Sequence, residues 1–453
     1  MSNRLELSVQ MHVSGEWNNV AVLTISDTSA GWAGASRLDY ETSWTLKVDP
    51  DFSEKMRGWH AVSVRNPPSL MPYHLKTWPP FLLDMLPQGH AREVLTDLLQ
   101  LKKNDPASEI ALLLRTAGDP IGNIRIRQAW EAEQERIDAV KIPPGISLEA
   151  MLRREDTFRE FARDFAPLAS GSSGVQGAWP KLLMTRNTVG EWLPSPLVPD
   201  AEATDHCMIK WPGDRREETR LILAAEDPYL ELARSFGLRC ARPLVYRHET
   251  LLVPRFDRKI VNGRVVRLGQ ESIVSAAGIA AFGHLAYHET YLDVLKSCCT
   301  NPSSEVTEYV LRDVLNLALG NPDNHGRNTA LQKMEDGQIW LTPLYDFCPM
   351  RLAPEGIARS TSWKCMKPFD GAYRDLDPDW EEVCRVAAKD TPGLDSETLA
   401  DILADKSELL RRMPELAQKI GVPDPVIARA MTRCGELADA LEALKRRRGY
   451  APR

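Results

Sequence analysis

Two hydrophobic periods divide the chain. At its start, Leu5 to Val13 places apolar residues on every second position, and with Val20 to Ile25 it predicts two strands around a turn at Gly15-Glu16. Phe81 to Leu101 predicts a helix, a break at Pro87 and Gly89, and a second, amphipathic helix, while Gly118 to Ile126 predicts a turn and a strand. A charged segment from Ala129 ends in Pro143-Pro144-Gly145 and marks a boundary near residue 135. Beyond it, Leu148 to Phe165 predicts a helix and His206 to Pro212 a short apolar strand ending near Lys210. Leu221 to Leu238 predicts an amphipathic helix that Pro228 starts or kinks, and Leu251 to Lys259 a strand running into a polar turn. From Ser272 onward the pattern is largely helical. Glu308 to Leu319 is a helical run, and Leu394 to Arg448 alternates apolar faces with charges.

One stretch concentrates chemistry-bearing residues. After the helix ending at Leu319, Asp323 and Asn328 stand five positions apart on a segment broken by Pro322 and Gly326. An apolar run from Thr329 to Leu331, a turn at Glu335-Asp336-Gly337 and a run from Ile339 to Leu344 predict a hairpin that returns Asp346 to the same end. Phosphoryl transfer needs an acceptor for a hydroxyl proton and Mg²⁺ to neutralise phosphate oxygens. Mg²⁺ takes hard oxygen ligands at about 2.0–2.1 Å, with phosphate and water completing its octahedron. Asp323 suits the base, and Asn328 with Asp346 suits the metal, in the spacing of a kinase catalytic loop. Asn, Asp, Gly and Pro also collect in ordinary turns; the added His325 and the second Asp at the hairpin's far end make the pattern more specific.

A glycine-rich stretch, Ser170 to Met184, carries Gly171, Gly174 and Gly177 among hydroxyls. Glycines let backbone N–H groups approach phosphates closely. No Gly-Lys-Ser/Thr follows, so it is no Walker A, and Pro180 opposes the helix of a dinucleotide fingerprint. A lysine on a strand near such a loop can hold nucleotide phosphates, which singles out Lys210, with Lys181 in support. Glu226 is one partner for that lysine, with Glu217, Glu218 and Glu231 as alternatives. At the strand end, the Pro254 carbonyl and the Phe256 N–H flank Arg255 as a backbone edge for an adenine. Arg255, Asp257 and Arg258 also read as a structural ion-pair cluster, and His206 as an ordinary strand histidine.

Composition excludes more than it assigns. With 453 residues, 43% hydrophobic and 26% charged, the chain has room for two or three lobes with ordinary cores. A net charge of −7 argues against attraction of the whole molecule to nucleic acid or anionic membranes. No leading apolar h-region is present and no apolar run approaches the ~20 residues of a spanning helix, so a cytoplasmic location without membrane association is expected. The eight cysteines lack CxxC spacing, and reduced, mostly buried thiols follow as the expectation. The basic run from Lys445 near the end reads as a solvated helix end, with contact to a DNA backbone within a complex as the alternative.

Gly320-Asn-Pro-Asp-Asn-His-Gly-Arg-Asn328 with Leu341-Thr-Pro-Leu-Tyr-Asp-Phe347 resembles the HipA-type serine/threonine kinase toxins, whose loop reads G-N-x-D-x-H-x-K-N before a T-P-x-Y-D segment. Arg327 stands where Lys is common, keeping the charge on a planar fork. Segments Pro79 to Gly89 and Gly118 to Ile126 are similar to the N-terminal subdomain of that family. The resemblance implies a bilobal, protein-kinase-like α+β fold with an added N-terminal β-rich subdomain and a mainly helical C-terminal lobe. The expected segments are 1–135, 136–253 and 254–453. It implies a loop through Ser172, Ser173, Gly174, Val175, Gln176 and Gly177 over ATP, contacts from Lys181, Lys210, the 254–256 backbone, His325, Arg327 and Asn328, and Mg²⁺ on Asn328 and Asp346. It also implies a toxin that phosphorylates a translation protein such as an aminoacyl-tRNA synthetase, and itself at Ser170, Ser172 or Ser173. The implied partner is a DNA-binding antitoxin of the HipB kind, with DNA reached only through it. Two other readings share these residues: a lipid or small-molecule phosphotransferase, and a catalytically silent co-repressor scaffold.

Overall fold

The alternating N-terminal segments pair as an antiparallel hairpin in the computed structural model of the chain, Leu5–Val13 against Glu16–Ile25. Ser14 and Gly15 turn it with φ of 54° and 86°, the double left-handed geometry that tight hairpins favour. The structure describes residues 4–51, 58–139, 141–156, 158–160, 162, 180–366 and 378–446. They divide into a first unit of residues 1–213, 244–281 and 331–339 and a second of 214–243, 282–330 and 340–453.

In the first unit, the hairpin sits inside a five-stranded antiparallel sheet ordered Tyr73–Leu75, Ser36–Tyr40, Glu16–Ile25, Leu5–Val13, Ile124–Ile126. A second antiparallel sheet follows the order Trp192–Pro194, Lys181–Arg186, Asp205–Lys210, Thr250–Pro254, Val245–Arg247. Its core face carries Leu182, Met184, Cys207, Ile209 and Leu252, packed with Met151, Phe158 and Trp192. Because successive side chains alternate, Lys181, Leu183, Met208 and Lys210 project from the other face. Lys181 and Lys210 are direct register partners there.

Three expectations change. Phe81 to Leu86 forms no full helix: one 3-10 turn, Pro80–Asp84, precedes the helix Gly89–Leu98, because prolines at 79, 80 and 87 leave room for a single turn. The helix begun at Leu148 stops at Arg153, where Arg154 turns left-handed with φ 51°, and helical residues resume at Asp156. Pro228 does not start its helix. Glu217–Phe236 runs through it, the buried side chains of Ile222, Leu223, Tyr229, Leu232 and Phe236 outweighing a penalty of about 3 kcal/mol.

The second unit is mainly helical, and its tail folds as the apolar faces predict, with helices Ser396–Asp405, Ser407–Lys419, Asp424–Ala430 and Cys434–Arg446. Leu399 and Leu403, Leu410 and Met413, and Leu437 and Leu441 are buried at helical spacing. The helix expected from Glu308 begins earlier, at Pro302, with the Asn301 side chain capping Ser304 N at 3.3 Å, and ends at Ala318. All eight cysteines are free thiols, five of them buried. Among the described residues no helix is long and apolar enough to cross a membrane.

Candidate active site

The segment after Ala318 is held by its backbone before any side chain acts. Leu319 O accepts the Tyr229 hydroxyl at 2.9 Å, and Gly320 O accepts Arg351 N at 3.0 Å. Gly320 has φ 68°, and a Cβ there would lie 2.6 Å from Ala430 O, so glycine is required on both counts. Asn321 then links back to the helix, its Nδ2 donating to Asn316 Oδ1 at 2.9 Å, and its Oδ1 accepts Asp323 N at 3.3 Å.

Asp323 is half-buried, with His325 Nε2 3.5 Å from its Oδ1. Asn328 donates Nδ2 to Asp323 O at 2.9 Å. Its donor end is thereby committed to the loop, and Oδ1 is the end that a cation would take. Asp346 is brought back between two fixed neighbours. Leu344 N donates to Arg239 O at 2.7 Å, Tyr345 OH donates to Arg327 O at 2.7 Å, and buried Phe347 packs on Tyr229 with ring centroids 5.7 Å apart. Asp346 itself is left-handed, φ 52°, a conformation that costs a non-glycine residue about 1–3 kcal/mol and clusters at functional sites. The predicted hairpin forms from Ala330–Lys333 and Ile339–Leu341, with Gly337 turning at φ 84° and Pro343 ending the second strand early. Asp323, Asn328 and Asp346 line one pocket with Asn324, Tyr345 and His288. Arg327 is buried and stacks its guanidinium 5.0 Å from the Phe282 ring centre.

The pocket wall contains a buried polar group that no sequence motif announced. His288 Nδ1 lies 2.8 Å from the Tyr309 hydroxyl and its Nε2 3.4 Å from Asp313 Oδ2, while its ring stacks on Trp363 at 4.4 Å. Burial pushes the imidazole down to about 4, against the pull of Asp313, so it is neutral near pH 7. Burial alone would raise the Asp313 carboxyl; Arg359, His288 and the Trp363 N–H outweigh it and hold it below its ordinary range. The signal in the sequence was Arg312-Asp313, two charges inside an otherwise apolar helical run.

The remaining site candidates lie in the first unit or outside the described residues, except the four glutamates, which belong to the second unit. Ser170, Ser172, Ser173, Gly174, Val175, Gln176 and Gly177 are outside them. Lys181 opens its strand half-buried, and Lys210 ends its strand 2% exposed. Beyond Pro254, the Arg255 N–H is taken by His206 O at 3.0 Å. The Arg255 side chain pairs with Asp257 at 2.6 Å, and Asp257 accepts Arg258 Nη1 at 2.6 Å and Gly122 N at 2.9 Å. These three side chains are a buried structural cluster. Burial opposes the charge on Asp257, but Arg255 and Arg258 hold its carboxyl well below the usual range. His206 faces Thr185 Oγ1 at 2.9 Å, and burial pushes it down to about 3, as an ordinary strand histidine. In the second unit, Glu226 is buried; Glu217 and Glu231 are exposed, and half-buried Glu218 lies 3.7 Å from Arg429.

The HipA-like C-terminal domain profile matches residues 173–415, more than half of the chain, and the HipA N-terminal domain profile matches 26–127. The chain belongs to the HipA family. A protein of Sinorhizobium fredii named "Putative kinase Y4mE" is 25% identical over 381 residues, covering 77% of this chain and 84% of that protein. Among solved structures, Shewanella oneidensis HipA, in a complex with HipB and its operator DNA, superposes with a TM-score of 0.60 at 17% identity, covering 98% of this chain and all of that one. The α+β fold expected from the resemblance is therefore the HipA fold. The proinflammatory kinase CtkA of Helicobacter pylori, at a TM-score of 0.31 and 12% identity over 52% of this chain, is too distant to add to this.

Proposed function

We propose that this HipA-family protein is a MgATP-dependent serine/threonine protein kinase acting as a toxin. The observation that carries the reading is the convergence of Asp323, Asn328 and Asp346 on one pocket, with Asp346 held in a strained backbone conformation. The donor set suits Mg²⁺. Among the described residues no group of three or more His, Cys, Asp and Glu could hold a metal, and Mg²⁺ asks for none: one or two protein oxygens plus phosphates and water suffice. Asn328 Oδ1 and the Asp346 carboxylate would hold it, and bound there it would neutralise charge developing on the transferred phosphoryl group. Asp323 accepts the proton of the acceptor hydroxyl as that oxygen attacks. Lys210, opposed by Lys181, serves nucleotide phosphates, and Pro254 O with Phe256 N the adenine edge.

The acceptor is a protein hydroxyl, on a translation protein and on Ser172 or Ser173 of the chain itself. The complex of Shewanella HipA with HipB and operator DNA supports a DNA-binding antitoxin partner here. The test is purified protein with Mg²⁺ and γ-labelled ATP, with and without a cell lysate. Label moves to serine or threonine for the wild type, and Asp323→Asn lowers transfer by about 10²- to 10⁴-fold, the worth of a general base. Equal transfer by both proteins would remove Asp323 from this role.

A further inference from the structure

Asn324 follows Asp323 directly, and its side chain is used at both ends. Asn324 Oδ1 accepts Ser360 N at 3.1 Å and Thr361 N at 3.2 Å, while Nδ2 donates to Thr361 O at 2.8 Å. The backbone joins in, Asn324 O accepting Thr361 Oγ1 at 2.9 Å. One residue of the loop is thus tied by four hydrogen bonds to one dipeptide, although 36 and 37 positions separate them in sequence.

That dipeptide is itself an abutment. Ala286 N donates to Ser360 O at 3.0 Å, and Thr361 pairs with Ala286 in a short parallel ladder. On either side, Arg359 pairs with Asp313, and Trp363 Nε1 donates to Asp313 Oδ2 at 2.8 Å. Asp313 is 2% exposed on the long helix that precedes the loop. The tie therefore returns to the element from which the loop departs, closing a ring around Asp323.

The other contacts around Asp323 are less far-reaching. Asn321 and Asn328 hold it from within the same segment. Neither contact anchors the Asp323–Asn324 peptide to a separate part of the fold; Asn324 does. An amide alone supplies this pattern. The side chain must accept two N–H groups and donate to a carbonyl, which a carboxylate cannot do and a methyl cannot begin to do.

We propose that Asn324 is a positioning residue for phosphoryl transfer, fixing Asp323 against the Ser360-Thr361 segment so that its carboxylate meets the acceptor hydroxyl. This rests on the kinase reading above. A carboxylate displaced by about 1 Å loses on the order of 10²-fold in rate, with ATP affinity kept, since the ATP contacts proposed above do not include Asn324.

The experiment measures single-turnover label transfer from γ-labelled ATP, the KM for ATP, and Tm for the full-length wild type, Asn324→Ala, Asn324→Asp, Thr361→Val and Thr361→Ser. Asn324→Ala and Asn324→Asp should lower the transfer rate by about 10²-fold with KM for ATP within about twofold. Thr361→Val, which removes the hydroxyl bond to Asn324 O and the contact of that hydroxyl with Tyr291, should fall between them and wild type, and Thr361→Ser should recover most of the loss. Wild-type rates in Asn324→Ala would overturn the proposal. So would a fall in rate and Tm together with a rise in KM for ATP in Asn324→Ala, with no difference between the two Thr361 variants, since that pattern marks support of the fold alone. A wild type that transfers no label at all removes the kinase reading and this role with it, and is told apart from the other outcomes before any variant is assayed.

Discussion

At the scale of single residues, Asp323, Asn328 and Asp346 differ in what holds them, and this separates their expected phenotypes. Asp323 has its backbone held by Asn321 and Asn328 and its carboxylate beside His325, so a near-isosteric change to asparagine removes the base and keeps those backbone contacts. Asp346 sits left-handed between anchored neighbours, a conformation that asparagine also tolerates. Asp346→Asn should therefore fold normally and lose a charge on the metal side. Its Mg²⁺ requirement should rise by at least about tenfold, against a proton-transfer defect for Asp323→Asn at any Mg²⁺ concentration. Titrating Mg²⁺ against label transfer for both variants checks this. Recovery of Asp323→Asn at high Mg²⁺, or none of Asp346→Asn, would reverse the two assignments.

At the scale of elements, buried polar groups tie segments together and make stability depend on pH. His12 and His288 are pushed down to about 4 and His206 to about 3, chiefly by burial. All three are neutral when folded, whereas in the unfolded chain each binds a proton below about pH 6.5. The depressed values mean that their stability is fully present above about pH 6.5 and is lost as pH falls toward 4 and then 3. Each histidine contributes at most about 1.4 kcal/mol per pH unit in that window. Tm should fall between about pH 6.5 and about pH 4.5, well above the range in which the depressed carboxyl of Asp257 titrates. His206→Gln, which keeps an amide near Thr185 without a titrating ring, should flatten the slope. Thermal denaturation across that range measures it, and an unchanged slope in His206→Gln would acquit this histidine.

At the scale of the whole molecule, family membership joins an N-terminal domain at 26–127 to a C-terminal domain at 173–415. The proposed toxin role makes a prediction that no single contact carries. Unbalanced expression of the wild type should arrest growth, and Asp323→Asn should leave it unaffected at equal protein levels. Colony counts after induction, with immunoblots for expression, decide it. Arrest by both proteins would point to toxicity through binding, and arrest by neither to a kinase without a toxin role.

Much of the local structure was legible in the residues alone, because it depends on near neighbours. The first hairpin turns within one residue of the expected Gly15-Glu16, at Ser14-Gly15, and the second turns at the expected Glu335-Asp336-Gly337, each through backbone preferences of residues adjacent in sequence. The loop from Asp323 to Asn328 was legible for the same reason: Pro322 and Gly326 bar a helix whatever surrounds them. Where nearby preference and distant packing conflict, sequence failed. The helix through Pro228 was settled by what it buries. Only the tertiary structure decided which glutamate of four is buried, that Arg255 turns into an ion-pair cluster, and that Asn324 grips Thr361. Each depends on groups brought together from far along the chain, and the strength of a charge or hydrogen bond is set by burial, which no pattern of neighbours specifies.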